Sequence, residues 1–177
     1  MIEIKDNSGF RLIELGENKS ENICTVIDGI QESLAGIDLR LVTEITNGDH
    51  HEMTFSYEEN KMKVMLKVIY RMEFPSQNII TVVAHYGKLP ASKKDDFVKL
   101  IKHFNDTQCK DQISLIPSTG DIEFKTETSF YKWFHTGEFR LKVFFLCLNI
   151  DQYYIASQII TYTSFKVEDV IGWFESP

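Results

Sequence analysis

Cysteine, proline and long apolar runs are all scarce in this 177-residue chain. Its three cysteines (Cys24, Cys109, Cys147) form no CxxC pair, and an odd number does not fit a disulfide framework. The longest uninterrupted apolar run, residues 143–148, falls far short of the roughly 20 residues that cross a membrane. The first ten residues lack the apolar segment of a secretory signal. We therefore expect a cytoplasmic protein with reduced cysteines and no membrane partner.

The composition is that of an ordinary globular protein with an acidic balance. Lysine and arginine total 19 and aspartate and glutamate total 26, which gives a net charge of −7. An acidic chain does not fit a surface that binds the phosphates of nucleic acids, so we expect no nucleic-acid partner. No linker, internal repeat or low-complexity tract divides the sequence. We predict a single domain over residues 1–177, with residues 1–17 as a possible N-terminal arm or hairpin.

Apolar residues at helical spacing predict four helices. Asn18 with Glu21 has the form of a capping box, and the apolar repeat that follows predicts a helix over residues 19–35. A second helix begins near Pro90, with Ser92 and Asp95 as its capping pair and an apolar face that ends at Phe104. The segment 138–163 is too long for one strand and fits a long helix with a wide apolar surface. Ser164 is expected to cap a short last helix. Cys24 and Cys147 are expected in the core, since both lie in apolar periodic segments.

Alternation with a period of two predicts the strands. Residues 39–86 fit a four-stranded antiparallel meander, with a turn at Asn47-Gly48 and a last strand that is central because it is apolar on both faces. Residues 113–130 fit a hairpin around the turn at 117–120, and its second strand is expected to continue to Phe134. The predicted fold class is α+β, an antiparallel sheet of meander and hairpin with helices packed mainly on one face.

The segment from Pro90 to Thr128 resembles a known family. It has a capped helix that ends in His103-Phe104-Asn105, then a polar bend, then the hairpin of residues 116–124. These features are similar to the central part of the YbjN-like family of bacterial sensory transduction regulators, whose fold is that of type III secretion chaperones. The resemblance implies a chaperone-like α+β fold and a dimeric, protein-binding role. It implies no catalytic residue.

No motif for catalysis, cofactor binding or metal binding is found in the sequence. It lacks a nucleophile elbow, a Walker loop and a dinucleotide fingerprint. His50 and His51 are neighbours on a strand and point to opposite faces, so a solvated hairpin turn is favoured over a metal site. Acidic pairs such as Asp95-Asp96 fall in first helical turns, where they complement the helix dipole. We expect no enzyme activity, no cofactor and no metal.

A row of basic side chains is predicted on one face of the third meander strand. An anion or an acidic peptide would suit such a strip, and cross-strand pairing with glutamates is the alternative, which we favour. The strip comprises Lys61, Lys63, Lys67 and Arg71.

The aromatic cluster at residues 130–134 points to an interface. Phe130 and Phe134 are expected to face the core, while Tyr131 and Trp133 face outward, toward a partner or under the last helix. The long helix, which includes Tyr154, is apolar over more than one stripe and therefore favours a homodimer.

The predicted function is a non-catalytic protein-binding module, chaperone-like or regulatory. The alternative is a small-ligand sensor or an enzyme whose site the sequence does not reveal. A deep pocket of converging polar groups would favour the alternative, and a broad apolar surface the first.

Overall fold

The computed structural model describes residues 3–5, 10–47, 50–59, 62–73, 77–109 and 112–175. It confirms the predicted α+β class, with strands and helices in nearly equal measure. In chain order the elements are β1 (Glu3–Lys5), β2 (Arg11–Glu14), α1 (Lys19–Ala35), β3 (Arg40–Asn47), β4 (His50–Glu59), β5 (Met62–Glu73), β6 (Gln77–Lys88), a 3₁₀ turn (Ala91–Lys93), α2 (Lys94–Phe104), a π turn (Asn105–Cys109), β7 (Ile113–Leu115), β8 (Asp121–Phe130), β9 (Trp133–His135), α3 (Thr136–Tyr162) and α4 (Val167–Glu175).

The strands form two sheets. The larger has the order β3-β4-β5-β6-β8-β7, so the predicted meander is confirmed as four consecutive neighbours. The second sheet has the order β1-β2-β9, with both pairs antiparallel. β6 lies between β5 and β8, and its residues 78–82 are all buried, as predicted for a central strand. The predicted turn at Asn47-Gly48 includes a residue outside the described part of the chain.

The chain divides into two compact units. One contains Met1–Val83 with Thr126–Phe145, and the other contains Ala84–Lys125 with Leu146–Pro177. Three elements, β6, β8 and α3, contribute residues to both units.

In the first unit, α1 follows its prediction. It begins and ends where the sequence indicates, and the Glu21 backbone N–H donates to Asn18 Oδ1 at 3.3 Å. Gly29, in the middle of the helix, brings the backbone close to the three-stranded sheet. A Cβ at this position would lie 3.0 Å from Ile13 Cδ1 on β2 and 3.0 Å from Phe134 Cε1 on β9. The small residue therefore sets the distance between this helix and the sheet.

In the first unit, β5 of the meander has one buried and one open face. Its even residues from Met62 to Tyr70 are buried and its odd residues are exposed or half-buried, as their alternation predicts. β3 is different, because all eight of its residues are exposed and it pairs only with β4, at the edge of the sheet. Its register with β4 shifts between Leu41 and Thr43, which marks a bulge on the edge strand.

In the second unit, the predicted apolar face of α2 is confirmed, from Phe97 to Phe104. Around it lies an aromatic cluster centred on Tyr153. The Tyr153 ring makes edge contacts with Tyr86 and Phe124, each at 5.4 Å between centroids, and with Phe104 at 5.8 Å. These rings are fully or largely buried and form the core of this unit.

The predicted helix caps at Ser92 and Ser164 are wrong. A 3₁₀ turn precedes α2, so this helix starts at Lys94 with no side-chain cap. At α4, the Lys166 N–H donates to Asp169 Oδ2 at 3.3 Å. Ser92 lies within the 3₁₀ turn and Ser164 lies three residues before the first residue of α4, so neither serine is at a helix start.

Two further predictions need correction. β8 ends at Phe130, and after a bend at residues 131–132 the chain joins the other sheet as β9, so no single strand reaches Phe134. Cys24 is exposed, because it lies on the side of α1 opposite the buried residues. Cys147 is buried as predicted, and burial, followed by the nearby Asp151 charge, raises the pKa of its thiol to about 12. The side chain of Cys109 lies outside the described residues.

We expect Tyr153→Phe to raise the free energy of unfolding by about 1–2 kcal/mol. The Tyr153 hydroxyl is buried and has no hydrogen-bond partner among the described residues. Its removal therefore eliminates the free-energy cost of burying a hydroxyl group without a hydrogen bond. Tyr70→Phe is the matched control, since the Tyr70 hydroxyl donates to Asn78 Oδ1 at 2.7 Å in the first unit. That change should cost about 1–3 kcal/mol, because it leaves a buried acceptor without this donor. Urea melts of the two variants should therefore shift in opposite directions; a loss of stability in Tyr153→Phe would contradict the assignment.

Candidate protein-binding surface

Helix α3 is apolar on two opposite sides. Its inner side is fully buried, from Phe139 at one end to Ile160 at the other. Its outer side exposes large apolar side chains, of which Phe145 is 55% and Leu141 51% accessible. By length and composition alone this helix could cross a membrane, and half of its most apolar stretch is buried in the fold, as in a core helix. The outer side exposes more large apolar side chains than any other described element.

Both sides of α3 repeat with alternating steps of four and three residues. The buried set is Phe139, Val143, Leu146, Ile150, Tyr153, Ser157 and Ile160. The second set, hereafter the outer stripe, is Leu141, Phe145, Leu148, Gln152, Ile155, Ile159 and Tyr162. The two sets are offset by two residues, or about 200° around the helix, so they lie on opposite sides.

The outer stripe is widened at its N-terminal end. Phe144 is also exposed, and its ring makes an edge contact with Phe145 at 5.9 Å. The cations beside this end are held by the chain itself, since Lys142 Nζ donates to the Glu127 carbonyl at 3.1 Å and the Arg140 guanidinium donates to the Gly36 carbonyl. The stripe is therefore an apolar surface with anchored charges at its margin.

One polar residue interrupts the outer stripe. Gln152 is half-buried in its middle, between Leu148 and Ile155. No hydrogen bond joins its amide to another described residue. The side chains of Leu148 and Ile155 on either side offer this amide no donor or acceptor.

The structure exposes two of the three interface residues that the sequence suggested. Tyr131 is 64% and Trp133 40% accessible in the first unit, where Trp133 pairs with Glu14 of β2. Lys132 Nζ lies 5.8 Å from the Trp133 ring centroid and 2.6 Å from Glu14 Oε1. Tyr154, in the second unit, is half-buried, with its ring 6.3 Å from that of Tyr86.

The basic strip is paired with glutamates of the neighbouring strand. Lys63 Nζ lies 2.9 Å from Glu58 Oε1, and Lys67 Nζ lies 2.9 Å from Glu52 Oε1. The Lys63 partner lowers the pKa of the Glu58 carboxyl. Arg71 lies opposite His50 in the ladder, and Lys61 is outside the described residues. These contacts favour cross-strand pairing over an anion-binding strip.

His51 is buried, which corrects the expectation of a solvated turn. The β3–β4 register places Thr46 opposite it, so Thr46 Oγ1 lies 2.8 Å from His51 Nδ1 and Glu44 Oε1 lies 2.8 Å from His51 Nε2. Both ring nitrogens are thus occupied by the edge strand. Within the described ranges, no three His, Cys, Asp or Glu side chains are grouped as a metal ion requires.

A small hollow in the second unit collects several hydroxyl groups. The Tyr86 hydroxyl lies 2.8 Å from Ser157 Oγ, which donates to the Tyr154 carbonyl at 2.7 Å. Burial raises the pKa of the Tyr86 hydroxyl. The hollow measures about 170 Å³, below the roughly 300–1,000 Å³ of common ligand pockets. Its hydroxyls already bond to each other, which makes it a poor match for a ligand-sensing pocket.

Comparison with protein-family models, with curated proteins and with solved structures finds no match for this chain. The resemblance to the YbjN-like family therefore stays a prediction. Function has to be argued from the chemistry of the described surfaces.

Sequence reasoning recognised the excess of apolar residues in the long helix but did not separate its two sides. The sequence does contain a signal for the second side. Two apolar repeats with steps of four and three residues run through residues 139–162, and they are offset from each other by two residues. A helix that packs on one side only would carry a single such repeat. The full extent of the outer stripe was therefore encoded in the sequence.

Proposed function

We propose that this chain is a non-catalytic protein-binding module, chaperone-like or regulatory, that acts in the cytoplasm as a homodimer. The observation that carries the proposal is the outer stripe of α3. A surface of large apolar side chains on a water-facing helix is costly unless another protein covers it. The resemblance to the YbjN-like family, with its secretion-chaperone fold, supports the same function.

The size of the surface supports a stable interface. The exposed apolar side chains are Leu141, Phe144, Phe145, Leu148, Ile155 and Tyr162. Each of these six side chains is partly exposed, and a large aromatic side chain has about 150–250 Å² in total. The exposed parts of the six side chains therefore add up to an area on the order of 600 Å². That is the upper end of what monomers expose and approaches the roughly 800 Å² that each partner contributes to a standard interface. A two-fold dimer is the commonest way to cover such a surface.

We expect Phe145→Asp to convert a dimer into a monomer. Because Phe145 is more than half exposed, the change should leave the fold intact while placing a charge in the N-terminal part of the apolar surface. Light scattering at micromolar concentration should give about twice the chain mass of 20.6 kDa for the unmodified protein, and the chain mass itself for the variant. Loss of a desolvated aromatic contact should weaken association at least tenfold.

The matched control is Val98→Asp, which places the same charge on an exposed apolar residue of α2, away from the outer stripe. It should leave the dimer unchanged. Trp133→Ala tests whether the exposed Trp133 contributes to the same interface. An unmodified protein that has the monomer mass at micromolar concentration would overturn the homodimer, and equal effects of the two aspartates would refute the assigned surface.

A further inference from the structure

The spacing of the outer stripe is compatible with a second helix as its partner. Steps of four and three residues, kept from Leu141 to Tyr162, average 3.5 residues per turn over three heptads. A straight helix has 3.6 residues per turn, so a strict 3.5 repeat drifts by about 20° per heptad unless two helices wind around each other. This is the pattern by which one helix packs against another, knobs into holes. The buried side of α3 has the same spacing and packs on strand residues such as Tyr86 and Phe124, so the spacing admits a helix as the occupant and the polar residue in the stripe has to identify it.

The polar residue in the stripe indicates which helix it is. In heptad positions, Phe145, Gln152 and Ile159 occupy a, and Leu141, Leu148, Ile155 and Tyr162 occupy d. A single polar side chain at an a position is a known device for fixing register, because burial forces it to find a polar partner. The Gln152 amide has no partner within the described chain. An identical amide on an identical helix would supply both the donor and the acceptor that it lacks.

Leucine at d and isoleucine at a are the choices typical of two parallel strands. Leu141 and Leu148 at d and Ile159 at a follow this preference, whereas Ile155 at d departs from it. The aromatic residues lie toward the ends of the stripe. In a parallel pair, a residues face a residues, so the two Gln152 side chains meet. In an antiparallel pair, a faces d, and each Gln152 would be packed against an apolar side chain.

We infer that the outer stripe binds the outer stripe of a second copy, with the two α3 helices parallel and in register, and that Gln152 fixes this register by pairing with its counterpart. The inference rests on the proposed homodimer and specifies its geometry. It makes Gln152 the residue that determines specificity in the interface.

The parallel and antiparallel helix pairs differ in which residues lie opposite their own counterparts, and disulfide cross-linking can distinguish the two. Leu148→Cys and Ile159→Cys are made as separate variants of the full chain in which Cys24 and Cys109 are replaced by serine. The two positions lie 11 residues, about 16 Å, apart along the helix. In a parallel pair each residue faces its own counterpart, so each single variant should form a disulfide-linked dimer under mild oxidation. In an antiparallel pair a residue meets its counterpart only at the two-fold axis, so at most one of them can do so.

The outcomes separate the inference from the proposed function. Disulfide-linked dimers in both single variants support the parallel register. A dimer by light scattering in which only one variant, or neither, becomes linked overturns the inference but leaves the proposed homodimer standing. A monomer by light scattering overturns both. Circular dichroism of each variant before oxidation confirms that the helix is intact.

Gln152→Leu gives an independent measurement. Without the buried amide pair the interface should become more apolar and bind more tightly, while losing its preference for one register. The dimer dissociation constant should fall by about tenfold. When Gln152→Leu is combined with Leu148→Cys, only part of the dimer should become disulfide-linked, because the two helices no longer keep one register. Weaker association of Gln152→Leu would mean that the amide contacts something other than its counterpart, which would overturn the inference.

Discussion

Replacing Phe124 with alanine is expected to lower the free energy of unfolding of the second unit by about 3–5 kcal/mol. The ring of Phe124 is fully buried and contacts Tyr153 at 5.4 Å and Tyr86 at 6.3 Å. Alanine would remove these ring contacts and leave a cavity that the large neighbouring rings cannot close. Phe104→Ala should have a similar effect, since Phe104 is also fully buried and contacts Tyr153 and Phe174.

Equilibrium unfolding in urea, with the slope compared between variants, measures this loss. Phe165→Ala is the control, because Phe165 is about half exposed and contacts only the exposed ring of Trp173 at 4.9 Å among the described aromatic rings. Its cost should stay below about 1 kcal/mol. If both core variants lost less than that, the assignment of Phe104 and Phe124 to the inward faces of their elements would be wrong.

The second large effect is expected at Gly29, where valine should destabilise the first unit by about 1–3 kcal/mol. Glycine in a helix normally costs stability, so a branched residue at an open position would be nearly neutral. At Gly29 the added atoms meet Ile13, Phe134 and Thr136, the farthest of them 3.3 Å from the new Cβ. All three neighbours are buried, and the Phe134 ring is stacked on Phe130 at 4.9 Å, so they have little room to move.

Gly172→Val is the matched control for this change. Gly172 also lies in a helix, α4, and a Cβ there would meet no atom within 4 Å. Its substitution should change stability by less than about 0.5 kcal/mol. Thermal unfolding followed by circular dichroism would compare the pair, and equal effects at the two glycines would show that α1 does not pack tightly on the sheet at Gly29.

Elements with a strong period and a local signal were predictable from the sequence. Helix α1 has both, since Asn18 caps it and its apolar residues recur along one side. The meander was predictable because β5 alternates strictly between buried and open residues. The starts of α2 and α4 were not, since Ser92 looks like a cap but lies in a 3₁₀ turn, and Ser164 looks like a cap but lies three residues before α4. A 3₁₀ turn uses the same residues as a helix start, so the sequence alone does not distinguish them.

The sequence predicted which residue types form the candidate surface, but it did not predict their individual contacts. The sequence placed Tyr131 and Trp133 on the outward face of one continuous strand, whereas Tyr131 lies in the bend after β8 and Trp133 lies on β9. The ion pairs of Lys63 and Lys67 depend on the β4–β5 register, which the sequence did not specify residue by residue. Burial of His51 depends on β3 in the same way. These contacts depend on the register between neighbouring strands. The alternation of apolar and polar residues within one strand does not specify that register residue by residue.

The bulge on β3 has a consequence for the behaviour of the protein at high concentration. An exposed edge strand with apolar residues such as Leu41, Val42 and Ile45 is the usual starting point for uncontrolled sheet growth between molecules. Here the extra residue at the bulge breaks the even spacing of backbone groups along the free edge, so an incoming strand cannot align with its whole length. The bulge thus shortens the stretch of β3 with which a strand of another molecule can pair in regular register.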